Sequence, residues 1–306
     1  MNHNNRIARH FAAAAAVVAL AGAASAQVVR SPFVAQIIPN NIDGLYINVE
    51  TGAAGTAAAS VAGWDLNPYS ATGLSWFHSG SAEMRFPGVT TGGAGNLNYS
   101  TEINAAGSFN TATTAVTVGA AAGNWRLNGD NYFGFRFTAA DNQVRYGWGR
   151  FTIGASISGP DRRIEEIYYE STANTPIAIG SYGTACGSLG FEQSGQPVLG
   201  ASFNHTVSNM PVTSNFAMLL LAAGTPNAGI DLSSQGWTGC YAYVDLLTAV
   251  LGGAIGSPSV SFPFTVPNNP AIIGFQLNAQ GAALWIDGGG ALQLVSSKGI
   301  ASVIGA

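Results

Sequence analysis

Apolar side chains recur at every second residue in short runs along this chain, and no other feature limits its fold so much. In "NYFGFRF" (131–137), Phe133, Phe135 and Phe137 fall on one side of an extended backbone. "TAADN" (138–142) supplies turn residues, and "QVRYGWGRFTIG" (143–154) runs back. Successive side chains of a strand point to opposite faces of a sheet, so this pattern predicts a β-hairpin. "RIEEIYYES" (163–171) sets Ile167 and Tyr169 against Glu166, Tyr168 and Glu170, and "GLYINVETG" (44–52) sets Leu45, Ile47 and Val49 against Tyr46 and Asn48. Later, "SVSFPFTVP" (259–267) alternates Val260, Phe262, Phe264 and Val266. Pro263 lies inside that run, and proline cannot donate to a ladder, so an edge strand is expected there. "NPAIIGFQLNAQG" (269–281) and "AALWIDGGGALQLVSS" (282–297) read as closing strands. Capped segments with a helical period are missing. The expected fold class is all-β, of the sandwich or jelly-roll kind.

Two domains in series are expected after a signal peptide. Residues 1–26 have a basic start (Arg6, Arg9, His10), an apolar run "FAAAAAVVALAG" (11–22) and a small-x-small "ASA" (24–26), which together read as an exported leader cut before Gln27. The rest divides near residue 183. Residues 27–183 carry eight of the nine remaining basic side chains, whereas 186–306 hold only Glu192, Asp231, Asp245, Asp287 and Lys298. "GSYGTACGSLG" (180–190), small and glycine-rich, reads as the linker. The expected units are therefore β-sandwiches at 27–183 and 184–306.

Charge narrows the possible partners. Losing Arg6 and Arg9 with the leader takes the formal charge from −4 to −6, with a single lysine and no basic run. Such a chain is poorly suited to nucleic acid. No later segment is long and apolar enough to span a bilayer as a helix. Cys186 and Cys240 are the only cysteines. In an oxidising compartment they read first as one disulfide, with a metal site as the alternative.

Five blocks in fixed order, "DGLYINVETG" (43–52), "GWDLNPY" (63–69), "YFGFRF" (132–137), "RYGWGRF" (145–151) and "YYESTANTPIAIG" (168–180), resemble a group of secreted bacterial proteins that often carry a PEP-CTERM sorting tail. The tail has no counterpart in "SSKGIASVIGA". "ACGSLG" (185–190), "NFAMLLLAAG" (215–224) and "IDLSSQGWTGCYAYVD" (230–245) resemble an uncharacterised C-terminal β module of exported bacterial proteins. The second resemblance also implies a Cys186–Cys240 pair. Both imply export, and neither implies a reaction.

Catalytic signals are sparse. There is no G-x-S-x-G elbow, and the mature histidines are His78, beside a glycine turn and expected in a surface loop, and His205, in phase with Phe203 and Val207 and expected as a satisfied strand residue at the core edge. Glycoside hydrolysis needs two carboxyl groups about 5–10 Å apart across a cleft. Glu166 and Glu170 share a strand face but lie too far apart along it for the retaining geometry, and Asp65, Glu83 or Asp130 would have to converge from elsewhere; solvated strand charges are the expected reading. Asp130 and Asp141 sit in Asx-type loops where a structural calcium ion could bind, though turn chemistry accounts for both. "TTGGAGN" (90–96) lacks the Lys of a phosphate loop and reads as a flexible loop.

One ligand face stands out. Tyr146, Trp148 and Arg150 lie on one side of their strand with Gly147 and Gly149 between them. Pairing odd with odd (133 opposite 147, 135 opposite 145) puts the three phenylalanines over the glycines and turns this stripe the other way. Pairing odd with even (133 opposite 148) puts Trp148 among the phenylalanines. A one-residue slip exchanges the faces. The expected function is an exported, non-catalytic surface, matrix or adhesion-type protein, secreted or at the cell surface, without cofactor. The alternatives are a carbohydrate-binding protein using the Tyr146/Trp148/Arg150 face, with polysaccharide or other surface proteins as partners, and then a glycoside hydrolase.

Overall fold

The computed structural model describes residues 26–80, 82–85, 94–110, 114–224, 226–245 and 248–305. The leader, apart from Ala26, and residues 90–93 of the glycine cluster lie outside them. The chain is all-β; its few helical turns are 3-10, three residues long each.

The principal strands are β1 (Gln27–Arg30), β2 (Ala82–Arg85), β3 (Gly129–Thr138), β4 (Val144–Ile153), β5 (Arg162–Glu170), β6 (Ser181–Thr184), β7 (Gly190–Gln193), β8 (Ser202–Ser208), β9 (Phe216–Ala223), β10 (Thr248–Gly253), β11 (Val260–Thr265), β12 (Gln276–Ile286) and β13 (Leu292–Val303). Among the described residues, one sheet of twelve strands runs through the molecule. Its order is β10-β9-β12-β13-β6-β1-β5-β4-β3-β2, followed by the short strand Phe109–Asn110, with Gln36–Ile37 against β5. A five-stranded sheet from residues 46–115 covers part of the first half, and β7-β8-β11 form a three-stranded sheet over the second.

The hairpin forms where expected, and its parity is odd with odd. Phe133 lies opposite Gly149 and Phe135 opposite Gly147, two residues along from the expected pairing. A Cβ on Gly149 would come within 2.4 Å of the Phe133 ring, and one on Gly147 within 2.3 Å of Phe135. The glycines let the rings lie flat across the neighbouring strand. Phe133, Phe135, Phe137, Phe151 and Ile153 are buried there against Trp76 and Trp125. Pro263 lies on β11, the outer strand of its sheet, as expected.

The expected linker is a strand. Ser181–Thr184 is buried along its whole length, pairs with β1 on one side (Gln27 opposite Thr184) and with β13 on the other (Tyr182 opposite Gly299). The small side chains and glycines that suggest a linker here serve close packing: a Cβ on Gly183 would meet the Tyr243 ring at 2.4 Å. Each half has its own apolar cluster, one of residues 33–167 and one of residues 189–304. A third, rich in tyrosine, takes residues from both, from Val28 to Ala301. The halves are thus joined by sheet and by core.

Cys186 and Cys240 form a disulfide with Cα atoms 4.9 Å apart and a separation of 54 in sequence. Closing a loop of that length stabilises a fold by roughly 4 kcal/mol in the chain-entropy picture. Replacing both cysteines by alanine is expected to lower the denaturant midpoint accordingly, with the slope of the transition setting the energy scale. An unchanged midpoint would show that the bridge constrains nothing in the unfolded chain.

Candidate functional site

The stripe singled out in the sequence faces inward. Tyr146 is 2% exposed and Trp148 0%, so neither forms a platform open to solvent. The reason is a second layer that strand alternation cannot reveal: Leu97, Tyr99, Ile103 and Ile177 cover this side of the sheet. Trp148 stacks on Tyr168 with ring centres 4.6 Å apart and planes 10° from parallel. Its indole N–H donates to the Ser181 carbonyl at 3.1 Å, which ties β4 to the joining strand β6.

Arg150 sits at the end of the stripe between two carboxylates. Its Nη1 donates to Asp130 Oδ1 at 2.8 Å and its Nε to Glu166 Oε1 at 2.9 Å. Burial disfavours its charge, but Glu166 and Asp130 outweigh that and hold the guanidinium firmly protonated. Arg30 adds a looser contact to Glu166 at 3.8 Å. Four residues on from Glu166, Glu170 is fully buried, and its Oε2 accepts from Lys298 Nζ at 2.9 Å. That pair links β5 of one half to β13 of the other. Glu166 and Glu170, expected as solvated strand charges, are instead interior, because partners up to 128 residues away in sequence neutralise them.

The other residues expected to carry chemistry do not assemble. Asp65 accepts from the Val49 N–H, Glu83 pairs with Arg136 at 2.6 Å, and Asp130 is held by Arg150. Both calcium candidates thus face cations: Asp141 takes two bonds of 2.7 Å from Arg145, and its Oδ1 also closes a turn onto the Gln143 N–H. Among the described residues no three His, Cys, Asp or Glu side chains group as a metal site. His78 is in a strand (Ser75–His78), buried rather than in a surface loop, with Nδ1 donating to the Ser79 carbonyl at 2.9 Å.

His205 is on β8 as expected but is not satisfied. It is 0% exposed, stacked 8° from parallel on Phe191, and neither ring nitrogen has a partner. Burial pushes its pKa down from 6.5 to about 4. Between pH 6.5 and 4 the unfolded chain therefore takes up a proton that the native imidazole refuses, and stability falls with pH. Asp65 works the other way: burial pushes its carboxyl up from 3.8 to about 7, so the native state keeps a proton that the unfolded chain has released, and stability falls as pH rises through that range. These slopes oppose each other between about pH 4 and 6.5. Relative to the unsubstituted protein, His205→Phe is expected to gain about 3 kcal/mol between pH 6.5 and 4. Urea unfolding across that range reads it; parallel profiles would sink this account of His205.

Two concave regions lie along the seam. A cleft of about 630 Å³ has Asp130, Tyr132 and Arg126 on one side and Gln196, Ile273 and Val303 on the other. The hydroxyls of Tyr99 and Tyr132 bond to each other near its floor, and Tyr99 Oη also accepts from the Val303 N–H at 3.1 Å. A second, of about 360 Å³, is lined by Gln27, Arg30, Tyr168, Tyr182, Asn227 and Tyr243. Two of their tyrosines bond across the halves: Tyr99 to the Val303 N–H and Tyr182 to the Tyr243 carbonyl.

One aromatic face was missed. Tyr46, Trp64 and Phe77 form a chain on the outer side of the five-stranded sheet, with ring centres 4.9 and 5.6 Å apart. Phe77 is 45% exposed. The signal was present in "GLYIN", "GWDLN" and "SWFHS", but the three lie in separate stretches that only strand pairing brings together.

No family model matches this chain, and no curated protein or solved structure matches it either.

Proposed function

We propose that this is an exported, non-catalytic surface or matrix protein of the adhesion type, whose seam is a structural joint. The observation that carries this reading is how the ionic groups are used. Arg150, Asp130, Glu166, Glu170 and Lys298 are the side chains from which an acid–base or carboxylate pair would be drawn, and they neutralise one another in the interior. A general acid or base must reach a substrate proton within hydrogen-bond distance, and these reach one another instead. The disulfide and the resemblance of both halves to exported bacterial proteins support an oxidising destination. No helix among the described residues is long and apolar enough to cross a membrane.

Fractionation of an expressing cell, with N-terminal sequencing and thiol titration, tests this. The expected product lies outside the cytoplasm, starts at Gln27 and has no free thiol. A cytoplasmic chain that keeps residues 1–26 and both thiols would overturn the reading.

A further inference from the structure

We infer that the outer face of the five-stranded sheet is a binding site for neutral, pyranose-based carbohydrate. The inference deepens the surface-protein reading by naming a site and a ligand class, and it rests on that reading.

Register defines the face. Ile47 lies opposite Leu66, Asn67 opposite Phe77, Tyr69 opposite Ser75 and Ala115 opposite Ser75. Side chains alternate, so Ile47, Leu66 and Trp76 enter the core while Tyr46, Tyr69, Ser75 and Phe77 point outward; Asn67 shares their side of its strand but is buried, its Nδ2 donating to the Asp43 carbonyl at 2.7 Å. Trp64, from the loop before this sheet's strand Leu66–Tyr69, leans over them. Trp64 and Phe77 are tilted by only 37° and form a nearly continuous strip, and Tyr46 packs its ring at 79° to Trp64.

The ligand class follows from charge and size. The strand positions on this face carry no charged residue, which leaves no counterpart for an anionic or cationic polymer. Aromatic faces carry the negative part of the ring quadrupole. The axial C–H bonds of a pyranose present hydrogens of partial positive charge, so a sugar ring laid flat on the strip gains both apolar contact and this attraction. The hydroxyls of Tyr46, Tyr69 and Ser75 have no partner among the described residues and stand at the margin, where sugar hydroxyls would fall. A protein partner fits less well. A fully buried aromatic contributes about 150–250 Å², and these three are only partly exposed, so the strip falls short of the roughly 800 Å² per partner of a stable protein interface.

The test uses the purified mature chain, 27–306, against immobilised cellulose, chitin and dextran, with alginate and chitosan as charged comparisons. Soluble cello- and chito-oligosaccharides then follow by tryptophan fluorescence. Binding to at least one neutral polymer is expected, insensitive to salt. Phe77→Ala and Trp64→Ala are each expected to weaken it about tenfold, while Phe77→Trp retains it. Phe77 is exposed enough that its alanine variant should fold, and an unchanged unfolding midpoint checks that. Capture by no neutral polymer, capture by a charged one alone, or equal capture by a folded Phe77→Ala chain overturns the site. None of these outcomes bears on export, which fractionation reads separately.

Discussion

Arg150→Met should destabilise the protein by about 5 kcal/mol. Breaking a buried ion pair by removing one partner costs about 3–5 kcal/mol, because the remaining charge is left without compensation. Here a single substitution strands two carboxylates, and Glu166 is only 6% exposed. Methionine keeps most of the side-chain volume, so the loss reads charge rather than packing. Denaturant unfolding near neutral pH measures it. Part of the loss should return in Arg150→Met/Glu166→Gln, which removes one of the stranded charges. A single variant within about 1 kcal/mol of the parent would mean that this cluster behaves as an exposed surface pair.

Trp148→Ala should cost a similar amount, about 5 kcal/mol, at the upper end of the range for a large buried aromatic. Three losses coincide: the cavity, the stack on Tyr168 and the hydrogen bond to the Ser181 carbonyl. Trp148→Phe separates them, because it fills most of the space and loses only the N–H, for about 1 kcal/mol. A Trp148→Ala protein of near-parental stability would require the indole to be solvent-facing after all.

Both predictions concern a stripe that the sequence presents as a ligand face, and the comparison shows where sequence reading stops. Parity was legible only as a leaning: Phe151 and Ile153 share phase with Gly147 and Gly149, which favours odd-with-odd pairing, and the structure supplies the reason, since a Cβ in either glycine position would strike a ring. The edge position of Pro263 and the pairing of Cys186 with Cys240 were legible for similarly local reasons. What covers a face was not. Tyr99 and Ile177 come from 49 and 29 residues away and pack over this face only once their own segments are placed. Burial of the acidic residues was hidden in the same way. Glu170 in "YYES" looks solvated, and its partner is the chain's only lysine, in the other half.

The glycine-rich segment at 180–190 misled for a different reason. Small residues mark a linker when nothing packs on them, but they also mark places where backbone and rings approach closely. Gly183 meets Tyr243, and the Tyr243 hydroxyl accepts from the Thr184 N–H at 2.7 Å. Composition is the same in either case, and only the neighbours decide. The aromatic strip of Tyr46, Trp64 and Phe77 reverses the error: its members looked ordinary singly because each lay in a different run.

The central claim is that the two halves unfold as one body, since they share a sheet, a tyrosine-rich core and a buried ion pair across the seam. Calorimetry of the oxidised mature chain tests it most directly. One transition is expected, with the calorimetric enthalpy equal to the van't Hoff enthalpy. Two resolved transitions, or a calorimetric enthalpy near twice the van't Hoff value, would contradict it and return the molecule to two domains in series.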